Sequence, residues 1–420
     1  MTAPPDFTPF TSESSVLMGA AQRVIEDARR LGARLHPLTL TAAAELLRTV
    51  NCYYSNLIEG HDTNPAAIER AMQGQYDSEP AKRNLQLEAQ AHIAVQEIVQ
   101  TELDAAPDRN VCETEFLRLM HREFFERMPD DMRQVRTRDG ERTETIVPGE
   151  LRQYDVVIGP HVAPSWKDVG QLMETFAEQY KSSRYSDRSM GLSAAGLLAA
   201  AAAHHRFLWI HPFPDGNGRV GRMMTDAYLR QIGAGGHGLW AVARGLARRR
   251  DDYAKRLADA DSPRWNAYES RGALSLPGLE RWCEFFIEVC ADQIDYMGSL
   301  LDVDTLADRI EEYGVGRERG RIGKHSVRVS VPTRRGRPAR GAPRGTGTVM
   351  RALVLRGELA ADEVAGIAGV STATGYRIVE VLRADGFVDR GGYDVAMRMR
   401  FPAHALPYLF PALAPTTPET

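Results

Sequence analysis

Apolar residues recur at three- and four-residue spacing through most of the first 310 positions, the period of helices that bury one stripe. That spacing predicts a helix over 40–58. Thr63-Asn64-Pro65 then reads as a helix start, with Asn64 as cap and Pro65 in the first turn, where a missing N–H costs nothing. Ala91, Val95, Ile98 and Val99 mark another amphipathic helix, and Phe116, Leu119, Met120 and Phe124 a further one. Helices are also expected over 167–180 and 192–210. A single long one is expected over 279–312, with Trp282, Phe286, Val289, Cys290 and Met297 on one side. The stretch 149–166 breaks the pattern. Its Val156-Val157-Ile158 run between Gly and Pro residues predicts a small hairpin or extended flap.

The pattern changes again after 316. Between 317 and 344 ten Lys or Arg stand against the single acid Glu318, among Gly and Pro, which reads as a solvated basic linker. Beyond it the order is helix (350–355), helix (361–368), turn at Gly369-Val370-Ser371, helix (372–385), then two short strands over 387–400 around Asp389-Arg390-Gly391-Gly392. That is the order of a winged helix-turn-helix. Seven Arg against seven acids between 346 and 400 favour a protein-contact or dimerisation role over DNA, because phosphate neutralisation supplies most non-specific DNA affinity.

Composition narrows the class without naming a chemistry. With 420 residues, 43% hydrophobic, 26% charged and a net charge of −4, the chain resembles an ordinary globular protein of two or three domains, with no overall pull toward nucleic acid or anionic membrane. Cys52, Cys112, Cys283 and Cys290 lack metal-site spacing and read as core residues. The first fifteen residues lack a secretory pattern. The apolar stretch 191–210 carries His204, His205 and Arg206, which suits a buried core helix and not a membrane span. A cytoplasmic location and no membrane partner are expected.

The candidate chemistry lies in 211–222, HPFPDGNGRVGR. Pro212 and Pro214 stop the preceding helix, so His211 is delivered into a tight turn. Asp215 offers a hard oxygen suited to a Mg²⁺ shared with phosphates. Gly216 and Gly218 leave the backbone bare, so peptide N–H groups can approach phosphate oxygens. A new helix begins there and adds partial positive charge at its N-terminus. Arg219 and Arg222, three apart on one face, can both fork onto phosphate.

This stretch matches every fixed position of the Fic family motif HPFx(D/E)GNGRxxR, and the AAAAHHRFLWI before it resembles the helix that leads into the motif. The resemblance covers roughly 39–261. It implies a mainly α fold, a Fic-type helical core with a β-hairpin flap, with the winged helix-turn-helix as a common appendage. It also implies transfer of AMP from ATP to a Tyr, Thr or Ser hydroxyl of a protein target, which can be the chain itself, releasing pyrophosphate. In that scheme His211 is the general base, its pKa expected near neutrality, and Asp215 holds Mg²⁺. Asn217 and the backbone of Gly216 and Gly218 form an anion hole, and Arg219 and Arg222 clamp the outer phosphates. Gly149, Arg152, Val157 and Ile158 resemble the flap, with Arg152, Val157 and Ile158 docking the target by strand addition.

Upstream, Ser55-Asn56-Leu57-Ile58-Glu59-Gly60 resembles the family's inhibitory pattern (S/T)xxxE(G/N). Glu59 would occupy Arg222, and Ser55, one turn earlier, would face the same way. The expected organisation is an N-terminal helical region 1–110 with the inhibitory helix at about 39–60, a catalytic core 111–262, C-terminal helices 263–316, a linker 317–345 and the winged unit 346–420. A homo-oligomer is a candidate state. Three readings compete: autoinhibited adenylylation; the same fold using another nucleotide or removing AMP; and a DNA-binding regulator. Phosphotransferring relatives replace the second motif glycine, so Gly218 argues against that variant. Gly233 to Gly238 spells G-x-G-x-x-G but follows a helix, so it reads as a helix end. His204 and His205 face different ways and lack a metal motif, and Tyr253 is a candidate neighbour of the nucleotide base.

Overall fold

The computed structural model describes residues 15–136, 143–185, 194–266, 268–269, 272–322, 341–389 and 395–413. The protein is mainly α-helical. In chain order the first helices are α1 (Ser15–Arg30), α2 (Pro37–Ile58), α3 (Pro65–Met72), α4 (Pro80–Ala105) and α5 (Thr114–Glu126). Two hairpins follow, β1 (Gln134–Arg136) with β2 (Thr143–Thr145) and β3 (Val157–Ile158) with β4 (His161–Val162), both antiparallel. Then come α6 (Val169–Gln179), α7 (Ala194–Ile210), α8 (Asn217–Gln231), α9 (Val242–Arg248), α10 (Arg250–Asp261), α11 (Leu276–Leu300) and α12 (Val303–Glu318). The C-terminal part holds α13 (Thr346–Arg356), β5 (Glu358–Leu359), α14 (Glu363–Ala368), α15 (Thr372–Ala384), β6 (Met397–Arg398) and α16 (Leu406–Leu409).

Local chemistry explains the boundaries. The Asn64 side chain accepts from Ala67 N at 2.8 Å, capping α3 ahead of Pro65. Gly60, at φ +90°, ends the turn after α2 in the left-handed region. The expected long helix over 279–312 is two helices, because Asp302 accepts from Thr305 N at 3.1 Å and caps a new start. After α8, Gly233 at φ +75° closes the chain on itself, so the glycine-rich stretch there follows a helix and no strand. The hairpin β1–β2 had no alternating signal in the sequence. Most of the basic linker, 323–340, lies outside the described residues, and α12 runs into its expected start.

The chain forms two compact units. The first comprises 1–30, 51–63 and 70–295, and the second 31–50, 64–69 and 296–420. Within the first, α7 is an alanine-rich helix buried along most of its length, and α8 packs along it. Small side chains allow that close approach. The α11 residues Trp282, Phe286, Val289 and Cys290 are buried; Trp282 and Phe286 pack against His204 of α7, and Trp282 donates to Ala201 O at 2.6 Å.

Within the second unit the expected boundary at 346 does not hold. The first turns of α2 join α12 and α13 in one core, with the Thr39 hydroxyl donating to Val354 O at 2.8 Å. Gly314 of α12 and Gly347 of α13 face each other so closely that neither has room for a Cβ. β6 pairs with β5, and Val388 forms a bridge with Met399. The expected turn at 390–392 lies outside the described residues.

Candidate active site

Helix α7 ends at Ile210 and places His211 at φ +50°, an uncommon backbone state for a residue with a side chain. Arg152 holds it there. Its Nε donates to His211 O at 2.8 Å and its Nη2 to Ile210 O at 3.3 Å, and to Pro164 O at 2.6 Å, while Nη1 reaches Tyr154 O at 2.9 Å. The backbone N–H of Arg152 also donates to Pro212 O at 2.9 Å. Arg152 is therefore a buried brace on the C-terminal carbonyls of α7, not the target-docking residue expected from the flap pattern.

The imidazole of His211 has a definite polarity. Nδ1 lies 3.3 Å from Leu208 O, and a carbonyl can only accept, so Nδ1 carries the proton and Nε2 keeps its lone pair. Burial lowers its pKa to about 4, helped by the positive charges of His161 and Arg152 and opposed by the Leu208 hydrogen bond. The ordinary near-neutral value expected from residue type does not apply. His211 is neutral throughout the physiological range.

The loop after it is braced internally. Phe213 N donates to Asn217 Oδ1 at 2.9 Å, and Asn217 Nδ2 returns a bond to Phe213 O at 2.9 Å. Asn217 thus fixes the loop with its side chain, so what it offers an anion is its backbone N–H. Phe213 stacks on His121 of α5 at 4.1 Å, and His121 Nδ1 accepts from Gly149 N at 2.8 Å. Gly216 caps α8 at φ +77°, and a Cβ there would strike the Phe125 ring at 2.8 Å. The first α-helical bond of α8 runs from Val220 N to Gly216 O, so the N–H groups of Asn217, Gly218 and Arg219 point out of the helix end. Asp215, half exposed, accepts from Gly216 N at 2.6 Å.

Both motif arginines are buried and paired. Arg222 donates from Nε to Ser55 Oγ at 2.8 Å, and from Nη2 to Ser55 O at 3.0 Å and to Glu59 Oε1 at 2.5 Å. Burial would raise the Glu59 pKa, but Arg222, Arg219 and His61 outweigh it and the carboxyl is held below its ordinary value. Gly218 has no space for a Cβ because the Glu59 carboxylate lies against it. Arg219 pairs with Glu88 of α4, lies 3.4 Å from Asp215 Oδ2, and sits over the Phe124 ring at 4.8 Å. Glu88 is almost fully buried and also meets His61 Nδ1 at 2.8 Å.

Ser55 and Glu59 therefore meet Arg222, as the upstream pattern implied. Three partners were not singled out from the sequence: Asn51, His61 and Glu88. Asn51 Nδ2 donates to Asp226 Oδ2 at 2.7 Å, so Asn51, Ser55 and Glu59 form one i, i+4, i+8 stripe against Asp226 and Arg222. Glu88 had a signal: it stands three before Ala91 on the apolar stripe of α4, where a charge needs a partner. Tyr253 is buried, bonded through its hydroxyl to His204 Nε2 at 2.9 Å, and His204 Nδ1 meets Thr225 Oγ1 at 2.7 Å. Both histidines 204 and 205 are core residues. Among the described residues no group of three or more His, Cys, Asp or Glu could hold a metal unaided. No described helix is long and apolar enough to cross a membrane. The flap strands β3 and β4 pair only with each other among the described residues, leaving outer edges, with Ile158 and Val162 exposed.

Comparison with known proteins converges on this region. The Fic/DOC family model matches residues 111–229. Ninety residues are 38% identical to "Protein adenylyltransferase Fic" of Drosophila willistoni and 37% identical to the protein of that name from Drosophila ananassae. In each case the match covers 21% of this chain and 17% of the relative. A crystal structure of a Fic family protein from Desulfovibrio desulfuricans G20 covers 94% of this chain and 98% of its own, with TM-score 0.51 and 18% identity, a likeness of fold. With the helical core, the braced HPFPDGNGRVGR loop and the family match lying on the same residues, the segment 111–229 is a Fic/DOC family domain.

Proposed function

We propose that the protein is an adenylyltransferase that moves AMP from ATP onto a protein hydroxyl, with Glu59 as its own inhibitor. The observation that carries this reading is the 211–222 loop. It presents helix N–H groups and two arginines beside a histidine whose Nε2 lone pair is free to accept a proton. The relatives' name, protein adenylyltransferase, supports the same chemistry over their shared 90 residues.

In the reaction, Nε2 of His211 takes the proton of a Tyr, Thr or Ser hydroxyl. The hydroxyl oxygen bonds to the α-phosphorus, and the bond from that phosphorus to the bridging oxygen breaks to release pyrophosphate. The backbone N–H groups of Asn217 and Gly218 stabilise the charge on the α-phosphate oxygens, and Arg219 and Arg222 hold the outer phosphates. Asp215 suits Mg²⁺, since a half-exposed single carboxylate beside phosphates is the donor set that ion takes. The ion would neutralise phosphate charge. The open edges of Val157 and Ile158 would pair with the target segment, which can belong to a second copy of the chain.

Glu59 occupies the guanidinium that the terminal phosphate needs, so inhibition is electrostatic and local. The C-terminal elements would act as a winged helix-turn-helix in protein contact or self-assembly, a role their balanced charge favours over DNA. The test is labelling of the purified chain and of a lysate from ATP carrying a tagged α-phosphate. Glu59→Gly protein should label and its His211→Ala derivative should not; equal labelling by the two would remove His211 from the chemistry.

A further inference from the structure

His161 sits on β4 of the flap, and both its ring nitrogens face atoms that only accept hydrogen bonds. Nε2 lies 2.9 Å from Trp209 O, near the end of α7, and Nδ1 lies 3.2 Å from Asp261 Oδ2, the last residue of α10. A neutral imidazole has one N–H and can satisfy only one of these. Satisfying both takes the imidazolium.

The other groups around the ring agree with a cation there. Asp261 Oδ1 is 3.0 Å from His205 Nε2, and His205 Nδ1 is 3.0 Å from Arg206 Nη1, which can only donate. His205 is therefore neutral, with its proton on Nε2 toward Asp261. One carboxylate thus joins a neutral histidine of α7 to the flap histidine. Arg152 and His211 also face the cluster, and the Arg152 charge opposes a proton on His161. The Asp261 bond and charge with the Trp209 carbonyl prevail over burial and Arg152, and the His161 pKa stands above its ordinary value. Asp261 is held well below the usual carboxylate range, burial being outweighed by the two histidines.

We infer that His161 is a positioning residue: as an imidazolium it pins β4 of the flap to the ends of α7 and α10, and its deprotonation frees the strand that is to receive the target. The catalytic consequence rests on the adenylyltransferase reading; the pinning itself does not. The sign follows from the bonds. Below the raised pKa both bonds hold; as pH rises through it one proton is lost and one bond fails, while Asp261 keeps His205.

The test uses the full chain and needs no ATP. Imidazole resonances followed between about pH 5.5 and 8.5 should show His161 titrating above the ordinary value of about 6.5, and Asp261→Asn should bring it down. Hydrogen-exchange protection of residues 155–165, corrected for intrinsic rates, should fall about tenfold as pH rises through that titration, the weight of one charge-assisted bond. In His161→Gln the protection should be low and flat with pH, since a neutral amide does not titrate. A His161 that titrates at or below the ordinary value, or a His161→Gln flap that follows the wild-type pH curve, would overturn the proposal. Self-labelling by Glu59→Gly protein, at saturating ATP, should exceed that of its His161→Gln derivative several-fold at about pH 6 and converge with it at high pH. A chain that labels nothing sinks the transferase reading, and the resonance and exchange data decide His161 in either case.

Discussion

At the scale of single residues, environment changed what residue type alone would suggest. His211 was legible as the candidate base because the motif surrounds it. Its protonation behaviour was not, since that depends on burial and on the Leu208 carbonyl one turn back. The consequence is measurable. In a Glu59→Gly background the acid limb of kcat/KM attributable to His211 should fall at about pH 4, and activity should be insensitive to that group above about pH 5. An acid limb near 6.5 would mean that the imidazole is solvated during turnover. Arg152 and Asn217 carry the same lesson. Both lie in recognisable patterns, yet the side-chain bonds of each go to backbone carbonyls or amides of the loop it braces. Sequence shows which residues a loop contains; which way a guanidinium or an amide turns is a matter of packing. Asn217→Ala should therefore lower turnover by loosening the loop, on the order of tenfold or more, with a drop in melting temperature that a pure anion-hole role would not produce.

Among elements, the proposed inhibition rests on the contact between α2 and α8. Apolar spacing placed α2, the turn within 211–222 announced the start of α8, and the S-x-x-x-E-G pattern placed Ser55 and Glu59 on one face of α2. What the spacing could not show was the antiparallel register that sets Asn51 against Asp226 four residues beyond Arg222. Long-range partners leave no periodic trace. The helix break at Asp302 was missed for another reason: apolar spacing runs through it, and only the capping residue announces the new start. If Glu59 inhibits by holding Arg222, then Glu59→Gly should raise the labelling rate at least tenfold, mostly in kcat, because nucleotide can still bind without its terminal phosphate in place. Adding Arg222→Ala should erase the gain, since the released clamp is then gone. Folded Glu59→Gly protein with wild-type turnover would end the inhibitory reading while leaving the family assignment untouched. Melting curves recorded alongside separate activation from unfolding, because Arg222 is 2% exposed and loses its counter-charge in this variant.

For the whole molecule, composition and length allowed two or three domains but could not say which segments share a core. Contiguous boundaries were the natural expectation, and the second unit is discontinuous because helix faces decide membership. Leu306, Ile310 and Tyr313 of α12 are buried, as are Val349, Met350 and Leu353 of α13, and the two helices meet at Gly314 and Gly347. A Cβ at Gly347 would meet Glu311 O at 2.7 Å and Val315 Cγ2 at 3.0 Å, neither of which can yield without moving α12. Gly347→Val should therefore destabilise the second unit by about 1–3 kcal/mol, the ordinary cost of overpacking a close helix crossing. Denaturant unfolding followed by a probe in α12 or α13 would read the loss as a lower midpoint. Every residue of the 211–222 loop, with Ser55, Glu59 and Glu88, belongs to the first unit, so labelling by Gly347→Val protein in a Glu59→Gly background should stay within a few-fold of its parent. Unchanged stability would contradict the tight crossing, whereas collapse of labelling in a protein whose first unit still melts normally would show that the second unit helps to maintain the site.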